Sequence, residues 1–457
     1  MNTEKVFSPY DQSLLVEIKF DQIQDLKIKF QQSLSAQKNW AKKNKEERIQ
    51  VIEKFNQYLL DNRLAIGKNI STFIGRPIRF APKEVDTGVA RSRVMLEFYR
   101  EKKLEEIVDS QRSIVHLPRG NMLVFGAWNY PVLTAINSIV PAILSGNSVC
   151  FRSSSQTYFM GEVFSSAFKY AGLPENVFQQ VSFSHEQTRE VLSFKEIHGV
   201  VYTGSTEGGT KIHQWCGGKF IPITLELGGK DAAYVCEEVD LENAAINIAD
   251  GAFFNSGQSC CGVERVYVHE KNYARFLELM IKEGKSLKLG NPLEESTTLG
   301  PMAKKSAVKF LKDQLNEARS NGAKTHLDDL GEINPQGQFI RPEIITNIDN
   351  QFSIQQEETF GPYVTICSVK NDQEAISKIN DSKFGLTASI WTTDQTIAKL
   401  LAKDLEVGVV MINRCDYVDP LLPWRGEKLT GMGHSLGPNC FDSFLKPRSI
   451  YIQNEKS

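Results

Sequence analysis

Three strand-loop-helix units follow one another between residues 120 and 216 of this 457-residue chain. Their apolar runs and loops read MLVFGAW, SVCFRSSSQT and IHGVVYTGSTEGG, and a helical pattern follows each. Such units favour a parallel sheet with helices on its faces, and ligands of these sheets gather at the carboxyl ends of the strands. The sequence therefore predicts an α/β fold with binding loops at Gly126 to Asn129, Arg152 to Thr157 and Thr203 to Gly209.

The composition restricts the class of partner. With 53 basic and 55 acidic residues, the chain has no basic field that would attract nucleic acid or an anionic membrane. At 41% hydrophobic it can bury sizeable cores, and roughly Gln22 to Glu105 has helical periodicity. We expect a globular protein that acts on a small molecule.

Targeting signals and cysteine spacing restrict the compartment. The start of the chain has no apolar stretch behind a basic segment, and the longest apolar window is interrupted by Asn129, Pro131, Asn137 and Pro141. The eight cysteines form neither a disulfide framework nor a zinc spacing. These features predict a cytoplasmic protein with reduced thiols, no membrane partner and no metal.

Two motifs next to the third unit carry polar candidates. The loop TGSTEGGT could hold a phosphate on the amides of a helix start, and an ordinary turn is an equally good interpretation. In IPITLELGGKDA the apolar residues alternate, so Glu226 points away from them at the end of a strand. It is a surface charge or, beside a reactive thiol, a general base.

Adjacent cysteines follow a glycine turn in FNSGQSCCGVER. Gly257 and Gln258 indicate a tight turn that brings one thiol, Cys260 or Cys261, into a cleft. Neighbouring side chains point in different directions, so one of the two is the nucleophile, and spacing alone does not choose. The remaining cysteines are interpreted as buried structural thiols: Cys150, Cys216, Cys236, Cys367, Cys415 and Cys440.

Five ordered motifs resemble the aldehyde dehydrogenase superfamily. TLELGGK and FNSGQSC are similar to its paired active-site signatures, and AWNYP, TGSTEGG and EETFGP to three further segments, from about Gly120 to Gly433. The resemblance implies an α/β aldehyde dehydrogenase-like fold with a Rossmann-type cofactor domain, an α/β catalytic domain and a small oligomerisation sheet. The corresponding ranges are 1–109 and 123–228, then 229–430, and finally 110–122 with 431–457.

The resemblance also implies roles for individual residues. Cys260 is the nucleophile, Glu226 the base and Asn129 the amide that holds the oxyanion. The residues implied in cofactor binding are Trp128, Arg152, Ser155, Gly204, Ser205, Gly209, Glu358 and Phe360. The implied reaction oxidises an aldehyde to its carboxylic acid with NAD(P)+, through a thiohemiacetal and a thioester on the cysteine. Glu226 favours hydrolysis over transfer of the acyl group to coenzyme A.

The cofactor expectation depends on VCFRSSSQT. Arg152 stands where the superfamily usually has lysine, and Ser155 where a glutamate frequently accepts a hydrogen bond from the ribose 2′-hydroxyl. Without that charge, Arg152 and the serines favour NADP at least as much as NAD, with dual use. The alternative is that Arg152 packs against the adenine and the serines cap the next helix.

The substrate and the C-terminal anchor are less defined. Aromatic residues suggest an apolar aldehyde, although such clusters are common by chance: Phe98, Tyr99, Trp128, Tyr130 and Phe254. Arg414 could hold a substrate carboxylate, but a surface or salt-bridged role is the commoner one. In WRGEKLTG, Arg425 replaces a glycine of the superfamily pattern and is expected to narrow the entrance or move the loop.

Assembly and two other classes of function complete the expectations. SQRSIVHLPRG and SFLKPRSIYIQ are strand-like, and in the resembled family such segments join neighbouring subunits, which predicts a homodimer or homotetramer. A cysteine hydrolase without redox turnover would leave TGSTEGG and EETFGP without a role. A catalytically silent binding protein of the same fold would not need the set of Asn129, Glu226 and Cys260.

Overall fold

Two open α/β sheets dominate the computed structural model, which describes residues 3–327 and 334–453. Residues 1–2, 328–333 and 454–457, which fall within the expected domain ranges, lie outside the described residues. The helices are α1 (Ile23–Trp40), α2 (Lys45–Asp61), α3 (Arg63–Ile74), α4 (Ala81–Glu101), α5 (Leu133–Leu144), α6 (Phe159–Ala171), α7 (His185–Leu192), α8 (Thr206–Cys216), α9 (Leu241–Phe253), α10 (Tyr273–Lys285), α11 (Lys305–Ser320), α12 (Ser353–Gln356), α13 (Asp372–Asn380) and α14 (Gln395–Leu401).

The strands follow the same chain order. They are β1 (Thr3–Phe7), β2 (Leu14–Lys19), β3 (Glu105–Asp109), β4 (Arg112–Pro118), β5 (Asn121–Phe125), β6 (Ser148–Arg152), β7 (Phe178–Gln180), β8 (Gly199–Thr203), β9 (Ile223–Glu226), β10 (Ala232–Val235), β11 (Arg265–His269), β12 (Lys324–Thr325), β13 (Glu343–Thr346), β14 (Tyr363–Val369), β15 (Phe384–Gly385), β16 (Thr387–Trp391), β17 (Val409–Ile412), β18 (Glu427–Lys428), β19 (Gly431–Met432) and β20 (Leu445–Tyr451).

The three predicted units form the first sheet. Its order is β19-β9-β8-β5-β6-β7, with β9, β8, β5, β6 and β7 parallel and β19 antiparallel to β9. Phe125 pairs with both Arg152 and Tyr202, so the carboxyl ends of these strands are level. The parallel sheet predicted from the sequence is confirmed.

The second sheet lies later in the chain. Its order is β12-β13-β14-β11-β10-β16-β17, and only the short edge strand β12 runs antiparallel to its neighbour β13. Large side chains such as Tyr234, Tyr267 and Trp391 are fully buried in it. Burial of both faces is typical of a parallel sheet covered by helices.

The helical segment ahead of the first sheet packs by its apolar stripe. In α2, Ile49, Ile52, Phe55 and Leu59 are all buried, as their helical spacing predicts. Asn44 starts this helix with a capping box, since its side chain accepts from Glu47 N at 2.9 Å. Phe55 stacks on Phe168 of α6 with ring centroids 4.4 Å apart, which fixes the helices over the first sheet.

A third, three-stranded sheet has the order β20-β4-β3. The two strand-like segments of the sequence pair antiparallel over seven residues from Leu445↔Pro118 to Tyr451↔Arg112. The strand Glu105–Asp109, ahead of the expected boundary at residue 109, pairs with β4. Gly431–Met432, which lies within the expected oligomerisation range 431–457, instead pairs with β9 of the first sheet. Every residue of β3 is exposed, including Ile107 at 71%.

The N-terminal hairpin β1-β2 is a separate two-stranded sheet that contacts the loop after β6. Val6, Ile18 and Phe20 form its small core. Its turn reaches the later part of the chain, since Gln338 N donates to Pro9 O at 2.8 Å. Across the described ranges, no helix combines the length and apolarity needed to cross a bilayer.

Candidate active site

The binding loops predicted from the three units meet at one cavity of about 1040 Å³. Gly126, Arg152 and Gly204, which follow β5, β6 and β8 or end them, all border it. Cys260 and Glu358 from the second half of the chain border it as well. The convergence of strand ends predicted from the sequence is therefore confirmed, and the loops of the second sheet complete the cavity.

The turn ahead of Cys260 has an unusual backbone. Asn255, Ser256 and Gly257 have φ values of 52°, 57° and 68° in succession. Side chains other than glycine adopt this left-handed region at a cost, so the surroundings must hold it. A Cβ on Gly257 would lie 2.1 Å from the Gly361 carbonyl oxygen, so both conformation and space require glycine there.

Side chains within the turn bind the neighbouring backbone. Asn255 Nδ2 donates to Gln258 O at 3.2 Å, and Ser256 Oγ donates to Gly300 O at 2.8 Å. Gln258 uses both ends of its amide, because Nε2 donates to Asn255 O at 3.0 Å and Oε1 accepts from Ala303 N at 2.9 Å. The loop is thereby held rigidly ahead of the two cysteines.

A buried ion pair connects this turn to the loop of Asn129. Arg76 and Glu84, at 2% and 4% exposure, are in direct contact. Arg76 also donates through Nε to Asn255 Oδ1 at 3.1 Å and through a terminal nitrogen to the Asn129 carbonyl oxygen. Glu84 Oε1 accepts from Val132 N at 2.7 Å at the start of α5. One pair therefore positions both loops.

The two adjacent thiols have different surroundings. Cys260 is half-buried and borders the cavity, whereas Cys261 is 4% exposed and its thiol donates to Asp416 Oδ1 at 3.2 Å. The hydrogen bond with Cys260, together with burial, raises the pKa of the Cys261 thiol. Burial raises the pKa of Asp416 to about 6. Cys260 is consequently the thiol free to meet a ligand.

Donors for an oxyanion lie next to Cys260. Asn129 is 5% exposed, and its side-chain amide donates to Gln258 O at 3.2 Å, which leaves the second N–H of that group for a ligand. The backbone N–H of Cys260 has no acceptor among residues 3–327 and 334–453. Both donors border the cavity, as an oxyanion site requires.

Glu226 faces the same cavity from the end of β9. Leu225 and Leu227 are buried in the apolar core, so the alternation predicted for this strand is confirmed. Thr203 Oγ1 donates to Glu226 Oε2 at 3.5 Å, while Oε1 is buried with no partner among the described side chains and backbone. Burial raises the pKa of Glu226. Glu226 borders the cavity, and an ionised carboxylate at that position can take a proton from a water molecule.

The loop of EETFGP forms another wall. Trp128 and Phe360 meet edge to face with centroids 5.5 Å apart, and Glu358 Oε1 accepts from Gly229 N at 3.1 Å. Burial, with the nearby charge of Glu264, raises the pKa of Glu358 to about 8. All three of the predicted residues in this region border the cavity.

A buried acid holds that loop in place. Glu264 accepts from Thr359 N at 2.9 Å and Phe360 N at 2.8 Å, and it pairs with Lys230 Nζ at 2.5 Å. Phe360 has a φ of 48°, so these contacts stabilise a strained backbone. Sequence reasoning missed Glu264 and Lys230, although Glu264 lies within FNSGQSCCGVER and Lys230 within TLELGGK.

The loop after β6 differs from expectation. Arg152 Nε donates to Phe183 O at 3.0 Å, and its guanidinium lies 5.3 Å from the Phe183 ring centroid, a contact that the sequence did not predict. The alternative role of the serines as helix caps is wrong, because α6 begins after Tyr158 without a side-chain cap. Ser155 Oγ donates to Glu4 Oε2 at 2.6 Å, so β1 brings a carboxylate to the position where the sequence lacks one. Lys304 borders the same region. No local pattern around residue 155 could have revealed Glu4, because the contact spans 151 positions.

The residues of the glycine loop ahead of α8 have two different roles. Gly204 and Ser205 border the cavity, and Ser205 Oγ caps the helix by accepting from Gly208 N at 3.2 Å. Gly209 is absent from the cavity wall described here; a Cβ on it would lie 2.4 Å from Leu227 Cδ2. It permits close packing of helix on strand. The backbone amides at the start of α8 remain suited to a phosphate.

Some of the aromatic residues and arginines considered as substrate contacts border the cavity, and others do not. Trp128, Tyr130 and Phe254 border the cavity, but the described cavity wall does not include Phe98 or Tyr99. Arg425 lies at the cavity and pairs with Glu427 at 2.8 Å. Arg414 is exposed, and its guanidinium stacks 3.3 Å from the Tyr417 ring centroid. It therefore does not point into the cavity described here.

Comparison with known proteins places this cavity in a family context. The profile described as the aldehyde dehydrogenase family matches residues 1–450. A succinate semialdehyde dehydrogenase [NAD(P)+] of Escherichia coli K12 is 29% identical over 435 residues, covering 93% of each chain.

Solved structures agree in fold. A 3,6-anhydro-L-galactose dehydrogenase in complex with NAP has a TM-score of 0.94 at 28% identity, covering 99% of this chain and 96% of its own. A betaine aldehyde dehydrogenase of Staphylococcus aureus with NAD+ has a TM-score of 0.92 at 26% identity, covering 98% and 91%.

Proposed function

The chain belongs to the aldehyde dehydrogenase family, and on that premise we propose that Cys260, Glu226 and Asn129 carry out its reaction. The protein oxidises an aldehyde to the carboxylic acid with NAD(P)+. The observation that carries the assignment is that one thiol, one unpartnered carboxylate oxygen and two free N–H donors border a single cavity. We propose that residues 1–109 and 123–228 hold the cofactor and 229–430 carries the nucleophile.

The first half of the reaction uses Cys260 and its oxyanion donors. The thiolate attacks the aldehyde carbon and forms a tetrahedral thiohemiacetal. Asn129 and the Cys260 N–H stabilise its oxyanion, because both donors are held in place before charge develops. The cofactor, when bound, supplies the acceptor for the hydride. The residues that would hold it include Trp128, Phe360 and Glu358, together with Arg152, Ser155, Gly204 and Ser205.

The second half uses Glu226. The thioester left on Cys260 is hydrolysed when Glu226 removes a proton from water and hydroxide attacks the acyl carbon. The acid then departs and the Cys260 thiolate is restored. A hydrolase without redox turnover is not favoured, because the Glu358 and Phe360 wall, fixed by Glu264, would have no role in it.

Exchange of each cysteine tests the choice between adjacent thiols. Cys260→Ala is expected to abolish cofactor reduction, since it removes the attacking sulfur. Cys261→Ala should retain a substantial fraction of kcat, because that thiol is buried against Asp416. Both are measured with an aldehyde panel and either cofactor. Loss of activity in Cys261→Ala alone would contradict the assignment.

Glu226→Gln tests the deacylation step. The variant should still form the acyl-enzyme and release it slowly, so rapid mixing should show a burst of reduced cofactor followed by a slow phase. In wild type the slow phase should accelerate with rising pH as Glu226 loses its proton, because burial raises its pKa. Equal loss of burst and steady rate would argue against Glu226 as the base.

For the cofactor we propose dual use, with Glu4 as a charge that opposes NADP. The sequence favoured NADP because Ser155 lacks a carboxylate, yet Glu4 Oε2 lies 2.6 Å from the Ser155 hydroxyl. A carboxylate there accepts from a ribose 2′-hydroxyl and repels a 2′-phosphate. Arg152 and Lys304 border the same region and act in the opposite direction.

Glu4→Gln should therefore raise kcat/KM for NADP relative to NAD by about tenfold, because it removes one close like charge. Glu17→Gln is the matched control, since this exposed acid lies on the partner strand of the same hairpin, opposite Lys5. An unchanged cofactor ratio in Glu4→Gln would show that Glu4 does not select the cofactor.

We also propose a homodimer or homotetramer joined through the three-stranded sheet. Exposed apolar side chains on its strands support this, with Ile107 at 71%, Val108 at 60% and Tyr451 at 61% exposure. Such patches on an open edge are typical of surfaces that pair with another chain. Light scattering at micromolar concentration should give a dimeric or larger mass, and a monomer would contradict the proposal.

A further inference from the structure

Arg91 is a buried cation with no ion pair among the described residues. It lies on α4 at 7% exposure and borders the cavity that contains Cys260 and Glu226. Its one hydrogen bond among the described residues is a long one, from Nη1 to Asn137 Oδ1 at 3.5 Å. Nε is buried with no partner in that part of the chain. The desolvation of this guanidinium is therefore largely uncompensated.

Other buried arginines show how unusual this is. Arg76 contacts Glu84, Asn255 and Asn129. Arg265 donates to the carbonyl oxygens of Lys230, Ile379 and Lys378 at 2.9, 3.2 and 3.3 Å. Arg48 also reaches several acceptors, including Ala41 O at 2.7 Å. Arg91 has no comparable set, although it faces a cavity that a ligand enters.

The surroundings of Arg91 form a small polar corner of the cavity. Asn137, on α5, is 4% exposed, and its side-chain NH2 group donates to no described residue. Thr87, one helical turn before Arg91, and Thr134 also border the cavity. Each threonine hydroxyl donates to the backbone at 2.9 Å, so the open donors are those of Arg91 and Asn137.

This corner is close to the reacting groups. Arg91, Cys260 and Glu226 border the same cavity. Burial lowers the pKa of Arg91, and the electrostatic influence of Cys261 and Glu226 acts against that effect. No described carboxylate lies within ion-pair distance of it, so Glu226 and Arg91 do not neutralise each other in this structure. The guanidinium therefore keeps its donors for a ligand.

We propose that Arg91, with Asn137, binds a carboxylate at the far end of the substrate, so that the preferred aldehydes are ω-carboxylated aliphatic aldehydes. The proposal rests on the proposed oxidation at Cys260. Arginine holds a carboxylate through two parallel N–H donors, and the pair gains strength in a water-poor cavity. One guanidinium balances one negative charge, which fits a carboxylate better than a dianionic phosphate.

This assignment replaces the expectation of an apolar aldehyde. Tyr130 and Phe254 still line the cavity and can pack against the methylene chain of such a substrate. Arg414, the arginine considered from sequence, stacks on Tyr417 instead. The specificity-determining cation therefore lies on α4, in a segment where no sequence motif was found.

The test compares aldehydes that differ only in the terminal group. Wild type should give a higher kcat/KM with 4-oxobutanoate than with butanal, and a higher kcat/KM with 5-oxopentanoate than with pentanal. The pair with the larger kcat/KM ratio indicates the preferred chain length of the substrate. In Arg91→Gln the ratio within each pair should fall by about 100-fold, since one partner of a buried charged pair is lost. Arg91→Lys should recover part of it.

Arg93→Gln is the matched control. Arg93 lies on the same helix two residues away and is exposed, so its exchange should leave the substrate ratio as in wild type. A wild-type preference for the uncharged aldehydes would overturn the proposal. Equal losses for both members of each pair in Arg91→Gln would overturn it too, because Arg91 would then act on Cys260 or Glu226.

A binding measurement separates this proposal from the proposed function. Glutarate should raise the melting temperature of wild type by about 2 °C over 1,5-pentanediol at equal concentration, and Arg91→Gln should lose the difference. Absence of cofactor reduction with every aldehyde would refute the oxidation but leave this readout valid. Identical effects of glutarate and pentanediol on wild type would refute the carboxylate site.

Discussion

The buried pair of Arg76 and Glu84 is the contact on which the site depends. The Arg76 guanidinium binds the loop of Asn129 and the left-handed turn before Cys260, while the Glu84 carboxylate binds the first amides of α5. Breaking such a pair leaves an uncompensated charge in the interior and costs several kcal/mol, about 3–5. Because two loops share one anchor, the proposed nucleophile Cys260 and the proposed oxyanion donor Asn129 cannot shift independently. The separation between the Cys260 thiol and the Asn129 amide is thus set by contacts in the core rather than at the cavity wall.

Burial also determines the charge of the cavity. Glu358 has its pKa raised to about 8 and Asp416 to about 6, so the first is mostly protonated at neutral pH. Burial raises the pKa of Glu226 as well. Neutral acids weaken the negative potential that a thiolate and an anionic ligand would otherwise meet. The same desolvation lowers the pKa of Arg91, so its guanidinium would be stabilised by an anionic ligand.

The sequence predicted what depends on neighbours in the chain. Strand-loop-helix periodicity gave the parallel sheet, and alternation in ITLELGG turned Glu226 away from Leu225 and Leu227. The choice between Cys260 and Cys261 came from resemblance, since spacing treats both alike. Glu4 and Arg76 were not predicted because their partners are remote in sequence. Arg91 was not predicted because it has no ion-pair partner among the described residues. Arg152 borders the cavity at the end of β6, but its Nε donates inward to Phe183 O, which no local pattern encodes.

The N-terminal hairpin has a consequence for how such chains are compared. Its carboxylate at Glu4 occupies the neighbourhood of Ser155, yet β1 belongs to neither large sheet and is anchored through Pro9 to Gln338. A prediction of nucleotide preference from the residues at the end of β6 alone therefore omits the Glu4 carboxylate. The hairpin can also gain or lose an acid without disturbing the packing of the nucleotide-binding sheet. If Glu4 acts as proposed, part of the cofactor selectivity is encoded outside the nucleotide-binding sheet and can diverge at a different rate from the fold.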